Sequence, residues 1–81
     1  MEALSIGRLS ALTGVEVHTL RYWETVFAAY LTSERTAGGQ RRYPLDSVGK
    51  VFEIKRLLKE QRYTIAGAQQ ILCPDQLEQA A

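Results

Sequence analysis

Arg35, Arg41 and Arg42 fall in one stretch, residues 35–43, that contains no acid and ends in Tyr43. Guanidiniums clustered without counter-charge repel one another and suit a polyanion, and Arg grips phosphate or guanine O6 and N7 through two parallel donors. Upstream, His18, Thr19, Arg21 and Tyr22 fall largely between the apolar residues Val17, Leu20, Trp23 and Phe27. Such a pattern gives a helix one polar side that can reach base edges, while flanking cations and the hydroxyls of Tyr22 and Tyr43 meet phosphate oxygens. The chemistry these residues suit is recognition of duplex DNA. A blander reading stands beside it: Arg21 pairing on the surface with Glu24 or Glu16, a contact worth little.

Catalysis has nothing comparable. His18 is the only histidine and no Ser or Cys nucleophile has a visible His and acid arrangement. Carboxylates stand singly, and Cys73 has no second Cys or clustered His to complete a metal site. Gly38-Gly39 lacks the Lys-Ser/Thr ending of a phosphate loop. The expectation is no enzyme, no cofactor and no metal.

The elements that must position these residues follow from periodicity and punctuation. Ser5 can cap a first helix at about 6–13, with Ile6, Leu9 and Leu12 at helical spacing and Thr13-Gly14 ending it. A second helix, roughly 17–24, carries the polar groups, and Trp23 and Phe27 read as core. Two short helices joined by a glycine turn make a helix-turn-helix candidate. The run TSERTAGGQRRY, residues 32–43, reads as a β-hairpin whose Gly38-Gly39 turn needs positive φ, that is, a wing. The longest helix, about 46–61, has Val48, Val51, Phe52, Ile54, Leu57 and Leu58 as its buried side. Thr64 caps a fourth, Ile65 to Leu72, which Cys73-Pro74 ends. The fold class expected is mainly α, a winged helix-turn-helix of about four helices with a short hairpin wing, over residues 1–72, with 73–81 a flexible stub.

Eighty-one residues allow one small core, and 46% hydrophobic with 23% charged residues is ordinary globular composition. The N-terminus has no signal-peptide pattern, and no run approaches the roughly 18 apolar residues of a membrane span. With a lone cysteine, a reducing cytoplasm is the expected setting. The net charge of +1 hides an uneven distribution. Of the nine acids, Asp75 and Glu78 lie in the tail, so residues 1–72 hold all 10 Lys and Arg against seven acids.

The ordered set Ile6-Gly7-Arg8-Leu9, Thr13-Gly14-Val15, Thr19-Leu20-Arg21-Tyr22-Trp23-Glu24, Gly39-Gln40-Arg41-Arg42-Tyr43 and Tyr63-Thr64-Ile65 resembles the N-terminal DNA-binding domain of MerR-type transcriptional regulators. The resemblance covers about residues 4–72, and its specificity lies in Thr-Leu-Arg-Tyr-Trp-Glu followed by Gly-x-Arg-x-Tyr at this separation. It implies a recognition helix at 17–24 in the major groove, a first wing at 33–43, and a second wing from the turn at Arg62-Tyr63 with the fourth helix. Thr19, Arg21 and Tyr22 would be recognition-helix contacts, and Arg41 and Tyr43 wing contacts to the backbone. It also implies an inverted-repeat operator bound by a dimer that bends or untwists promoter DNA.

Three departures from the family pattern stand out. Glu16 occupies a position where relatives have a Ser or Thr cap, and Pro44 replaces a capping residue, which moves the cap of the third helix to Asp46. Arg62 stands where the second wing often has Gly. Only nine residues follow Leu72, too few for the long dimerisation helix and sensor domain of the family. The chain is therefore expected to be a monomer and a fragment of a longer regulator, itself a homodimer or higher, the alternative being a stand-alone short member. Two other functions fit the same basic face: an excisionase-like architectural DNA-binding factor, and a protein-interaction module that meets an acidic regulatory protein.

Overall fold

In the computed structural model, which describes residues 3–74, the elements follow one another as β1 (Ala3–Leu4), α1 (Ile6–Thr13), α2 (Val17–Val26), β2 (Glu34–Arg35), β3 (Arg41–Pro44), α3 (Ser47–Lys55) and α4 (Ile65–Leu72). A π-helical turn, Arg56–Glu60, prolongs α3. This is a winged helix-turn-helix with a small antiparallel sheet.

Local chemistry sets the boundaries. The Ser5 and Thr64 side chains accept from the backbone N–H groups of Arg8 and Gly67, three residues on, and so cap α1 and α4. Gly14 ends α1 at φ 74°, a left-handed conformation that glycine adopts without steric cost. The Lys55 ammonium reaches across from α3 to donate to the Thr13 carbonyl at 3.3 Å, placing a cation on the negative end of α1. Gln69 of α4 donates to the Val26 carbonyl at the end of α2 at 2.7 Å. Both bonds satisfy helix-end acceptors that the helix itself leaves open.

The sheet order is β1-β3-β2. Leu4 lies opposite Tyr43, and Glu34 and Arg35 lie opposite Arg42 and Arg41. The hairpin is therefore present as expected, with Gly39 (φ 82°) supplying the positive φ of its turn. β1, which no periodicity announces, joins the wing to the chain terminus.

Leu9, Leu20, Trp23, Phe27, Leu31, Val51, Ile54 and Leu57 form one core with Tyr43 and Ala68. Four expectations need correction. Phe52 is 46% exposed, because it lies roughly 100° round α3 from Val51, on the side away from Ile54. α2 runs two residues further than its expected end, to Val26. Asp46 precedes α3 but makes no side-chain cap; it stands 3.9 Å from Lys50 instead. Cys73, expected in the terminal stub, is 2% exposed and belongs to the core. The rest of that stub from Asp75 lies outside the described residues.

Candidate nucleic-acid interface

Helical geometry divides α2 into faces. Leu20, Trp23 and Phe27, just past its end, point into the core. His18, Arg21, Tyr22 and Thr25 share the opposite, exposed face. Thr19 lies on one flank of that face, half-buried in a notch with Glu16, Lys55 and Lys59. Glu24 lies on the other flank, toward the wing.

Across that second flank opens a cleft of about 680 Å³. Arg21 and Thr25 line it from the helix, Gln40, Arg41, Arg42 and Tyr43 from the wing, and Ser5 and Ile6 from the start of the chain's first helix. The fold thus brings together Arg21 from the helix and Arg41 and Arg42 from the hairpin, cations far apart in sequence. Arg21 and Arg42 have no acidic partner among the described residues. Arg21 does not make the surface pair with Glu24 or Glu16 considered for it. Glu16 pairs instead with His18 at 3.3 Å, both side chains being largely exposed, and leaves the start of α2 without a side-chain cap.

Glu24 pairs with the wing. Its carboxylate accepts from Arg41 Nη1 at 2.7 Å, from the Tyr43 hydroxyl at 2.8 Å and from the Ser33 hydroxyl. Burial alone would raise the Glu24 pKa, but the hydrogen bonds from Ser33 and Tyr43 and the charge of Arg41 outweigh it and hold the carboxyl below its ordinary range. Burial, reinforced by the adjacent carboxylate, pushes the Tyr43 phenol up to about 12. The Arg cluster therefore does have an acidic partner, supplied by the helix.

Tyr43 itself corrects the sequence reading. Its side chain is 0% exposed and its hydroxyl is spent on Glu24, so it does not present a donor to a phosphate. It anchors the wing from inside. Arg41 remains 45% exposed beside Glu24. Arg35 sits on the exposed outer strand and turns back onto the Gly39 carbonyl at 3.2 Å, which draws it away from Arg41, opposite it in register.

Arg62 and Tyr63 lie apart, in the turn between the π-helical segment and α4. Arg62 is exposed with φ 57°, the one non-glycine residue with positive φ among those described. The Tyr63 N–H donates to the Leu57 carbonyl, closing that helix end around Arg62. The Tyr63 ring is 43% exposed and packs beside Gly67, where an added Cβ would come within 3.3 Å of it.

Sequence reasoning missed Thr25, Gln40 and Ser5 as cleft residues, and Glu24 as the link between helix and wing. Thr25 could have been found, since it stands four residues after Arg21 on the same face. Among the described residues no group of His, Cys, Asp and Glu is placed to hold a metal, and no helix is long and apolar enough to cross a membrane.

Residues 4–73 match the family described as MerR HTH family regulatory protein. The chain belongs to the MerR family. Its curated relatives include two proteins named Nodulation protein NolA. That of Bradyrhizobium elkanii is 44% identical over 52 residues, which are 64% of this chain and 23% of the relative. That of Bradyrhizobium sp. (strain NC92) is 42% identical over 52 residues, 64% of this chain and 22% of the relative. The matched segment thus spans less than a quarter of either relative's length. MerR helix-turn-helix domains bind double-stranded DNA in transcription regulation.

Proposed function

We propose that this chain is the operator-reading unit of a MerR-type transcription regulator, with the exposed face of α2 in the major groove and the wing on the flanking backbone. The observation that carries this is the cleft in which Arg21 and Thr25 of α2 face Arg41 and Arg42 of the wing. A helix fits the major groove, and the strand of phosphates bordering that groove then runs between helix and wing. Arg21, His18, Tyr22 and Thr19 are the base-edge and near-backbone contacts; Arg35, Arg41 and Arg42 are the phosphate contacts, with Arg62 and Tyr63 at a second wing. Two copies in a longer parent would read an inverted repeat, half-sites lying about 34–36 Å apart on one side of the duplex.

Selection from a random duplex pool at moderate salt, followed by titration of the winner and a scrambled control, tests the reading. Enrichment of a short half-site is expected. Arg41→Ala should weaken binding to all sequences and reduce the salt slope by about one unit, whereas Arg21→Ala should also lose discrimination. Absence of enrichment, with winner and control lost equally as salt rises, would overturn the reading.

A further inference from the structure

Glu24 receives more side-chain hydrogen bonds than any other side chain described, yet it lies behind the residues that line the cleft. Its side chain is 13% exposed, on the flank of α2 next to Arg21. Its donors, Ser33, Arg41 and Tyr43, lie 9, 17 and 19 residues away and bracket the wing on both sides. The wing has few other anchors. Both β2 residues are exposed, and the hydrogen bonds around its tip run between Thr36, Gly39 and Gln40 within the hairpin itself. What fastens it to the helices is the pairing of β3 with β1, the buried ring of Tyr43 and the Glu24 carboxylate.

We propose that Glu24 is a positioning residue for DNA recognition: without touching the duplex, it sets the placement of the wing relative to α2 and aims the Arg41 guanidinium. This deepens the DNA-binding reading and rests on it. A guanidinium carries five donors in one rigid plane. Nη1 is held by Glu24, which restrains the guanidinium while Arg41, 45% exposed, keeps donors for a phosphate. Ordering that would otherwise accompany DNA binding is in place beforehand.

Charge makes the proposal testable through the sign of an effect. A carboxylate close to bound phosphates repels them, so an electrostatic neighbour with no positioning role would, once neutralised, leave every duplex bound more tightly. A positioning residue, once neutralised, loses the selected sequence and spares the scrambled one.

The test uses Glu24→Gln in the full chain, with Tyr43→Phe as a second variant that removes one donor and keeps the carboxylate. Circular dichroism fixes a temperature at which each is folded. Anisotropy titrations then use the duplex recovered by selection and a scrambled duplex of equal length. Residual dipolar couplings of amides 34–42 against those of α2 report wing placement in the free protein. Glu24→Gln is expected to lower the selected-to-scrambled affinity ratio at least tenfold, with scrambled binding unchanged or tighter and wing couplings scaled down; Tyr43→Phe should shift both in the same direction by less. A ratio within twofold of the parent, or equal losses on both duplexes, would overturn the proposal. If the parent itself does not discriminate, the DNA reading fails, and unchanged wing couplings in Glu24→Gln would separately refute the positioning role.

Discussion

Replacing Arg62 with glycine should stabilise the fold and weaken DNA binding in the same variant. Arg62 sits at φ 57° just past Gln61, the C-cap of the π-helical turn, where the Gln61 N–H bonds to the Arg56 carbonyl and the Tyr63 N–H to the Leu57 carbonyl. These bonds close the helix end only if the residue between them is left-handed, the conformation for which glycine is favoured at helix C-termini. A side chain with Cβ costs roughly 1–2 kcal/mol there. Glycine removes that cost but loses more backbone freedom on folding, about 0.5–1 kcal/mol. The net gain is on the order of 0.5–1 kcal/mol, or about 2–8 °C in Tm for a domain of this size. Thermal unfolding followed by circular dichroism measures it, with Arg62→Ala as the control that removes the charge and keeps the Cβ. If Arg62 meets a phosphate in the second wing, both variants should lower the salt slope by about 0.9. A Tm for Arg62→Gly at or below that of Arg62→Ala would refute the strain argument, since the two differ only in what the backbone can adopt.

The remaining predictions concern capping, core geometry and pH. Thr64→Ala removes the acceptor for the Gly67 N–H and should cost about 1 kcal/mol in urea unfolding. Ile54→Ala should cost about 2–5 kcal/mol, whereas Phe52→Ser, on the exposed side of the same helix, should stay within about 0.5 kcal/mol. Because the Glu24 carboxyl titrates lower folded than unfolded, the unfolded chain binds more protons in that window. Its contribution to stability should be complete above the ordinary carboxylate range and vanish as pH falls through the depressed folded value. Urea midpoints between about pH 3 and 6 should therefore fall less steeply in Glu24→Gln than in the parent. Tyr43, raised to about 12, favours the folded state below the ordinary phenol range and loses that contribution as pH rises through the folded value. The phenolate absorbance step near pH 12 in the folded protein should disappear in Tyr43→Phe.

The helices were legible because their signals are local. Ser5 and Thr64 cap where their side chains predict, Gly14 ends α1, and the spacing of Leu20, Trp23 and Phe27 identifies the buried face of α2. Phe52 was misread because hydrophobicity was taken as burial; five of the six apolar residues assigned to that side are at least half-buried, and the sixth falls outside the arc that Val51, Ile54 and Leu57 define. The basic wing was visible as a run of Arg without acid. Its counter-ion was not, because Glu24 meets Arg41 across 17 residues and only the fold sets that register. The burial of Tyr43 was hidden for the same reason: the alternation of β3 sends Arg42 and Tyr43 to opposite faces, but which face is inside depends on pairing with β1, a two-residue strand that carries no pattern.

How a chain of net charge +1 presents a face suited to phosphate follows from where its acids are spent. Glu24 binds Arg41, Glu53 binds Arg56, Asp46 stands near Lys50, and Glu16 holds His18. Only the first of these involves a cation of the cleft, and it leaves that guanidinium half-exposed. The Glu53 and Asp46 pairs lie on or beside α3 and its π-helical extension, where exposed pairs add little to stability but remove cations from competition for a polyanion. Among the described residues, Arg21 and Arg42 in the cleft and Arg35 on the wing are left without acidic partners. Glu34 lies opposite Arg42 in register but forms no ion pair with it, so it tempers the wing's charge without neutralising the cleft. Under the proposed function, attraction for phosphate would arise from the spatial sorting of pairs that the helix-turn-helix geometry imposes, and a total of +1 says little about it.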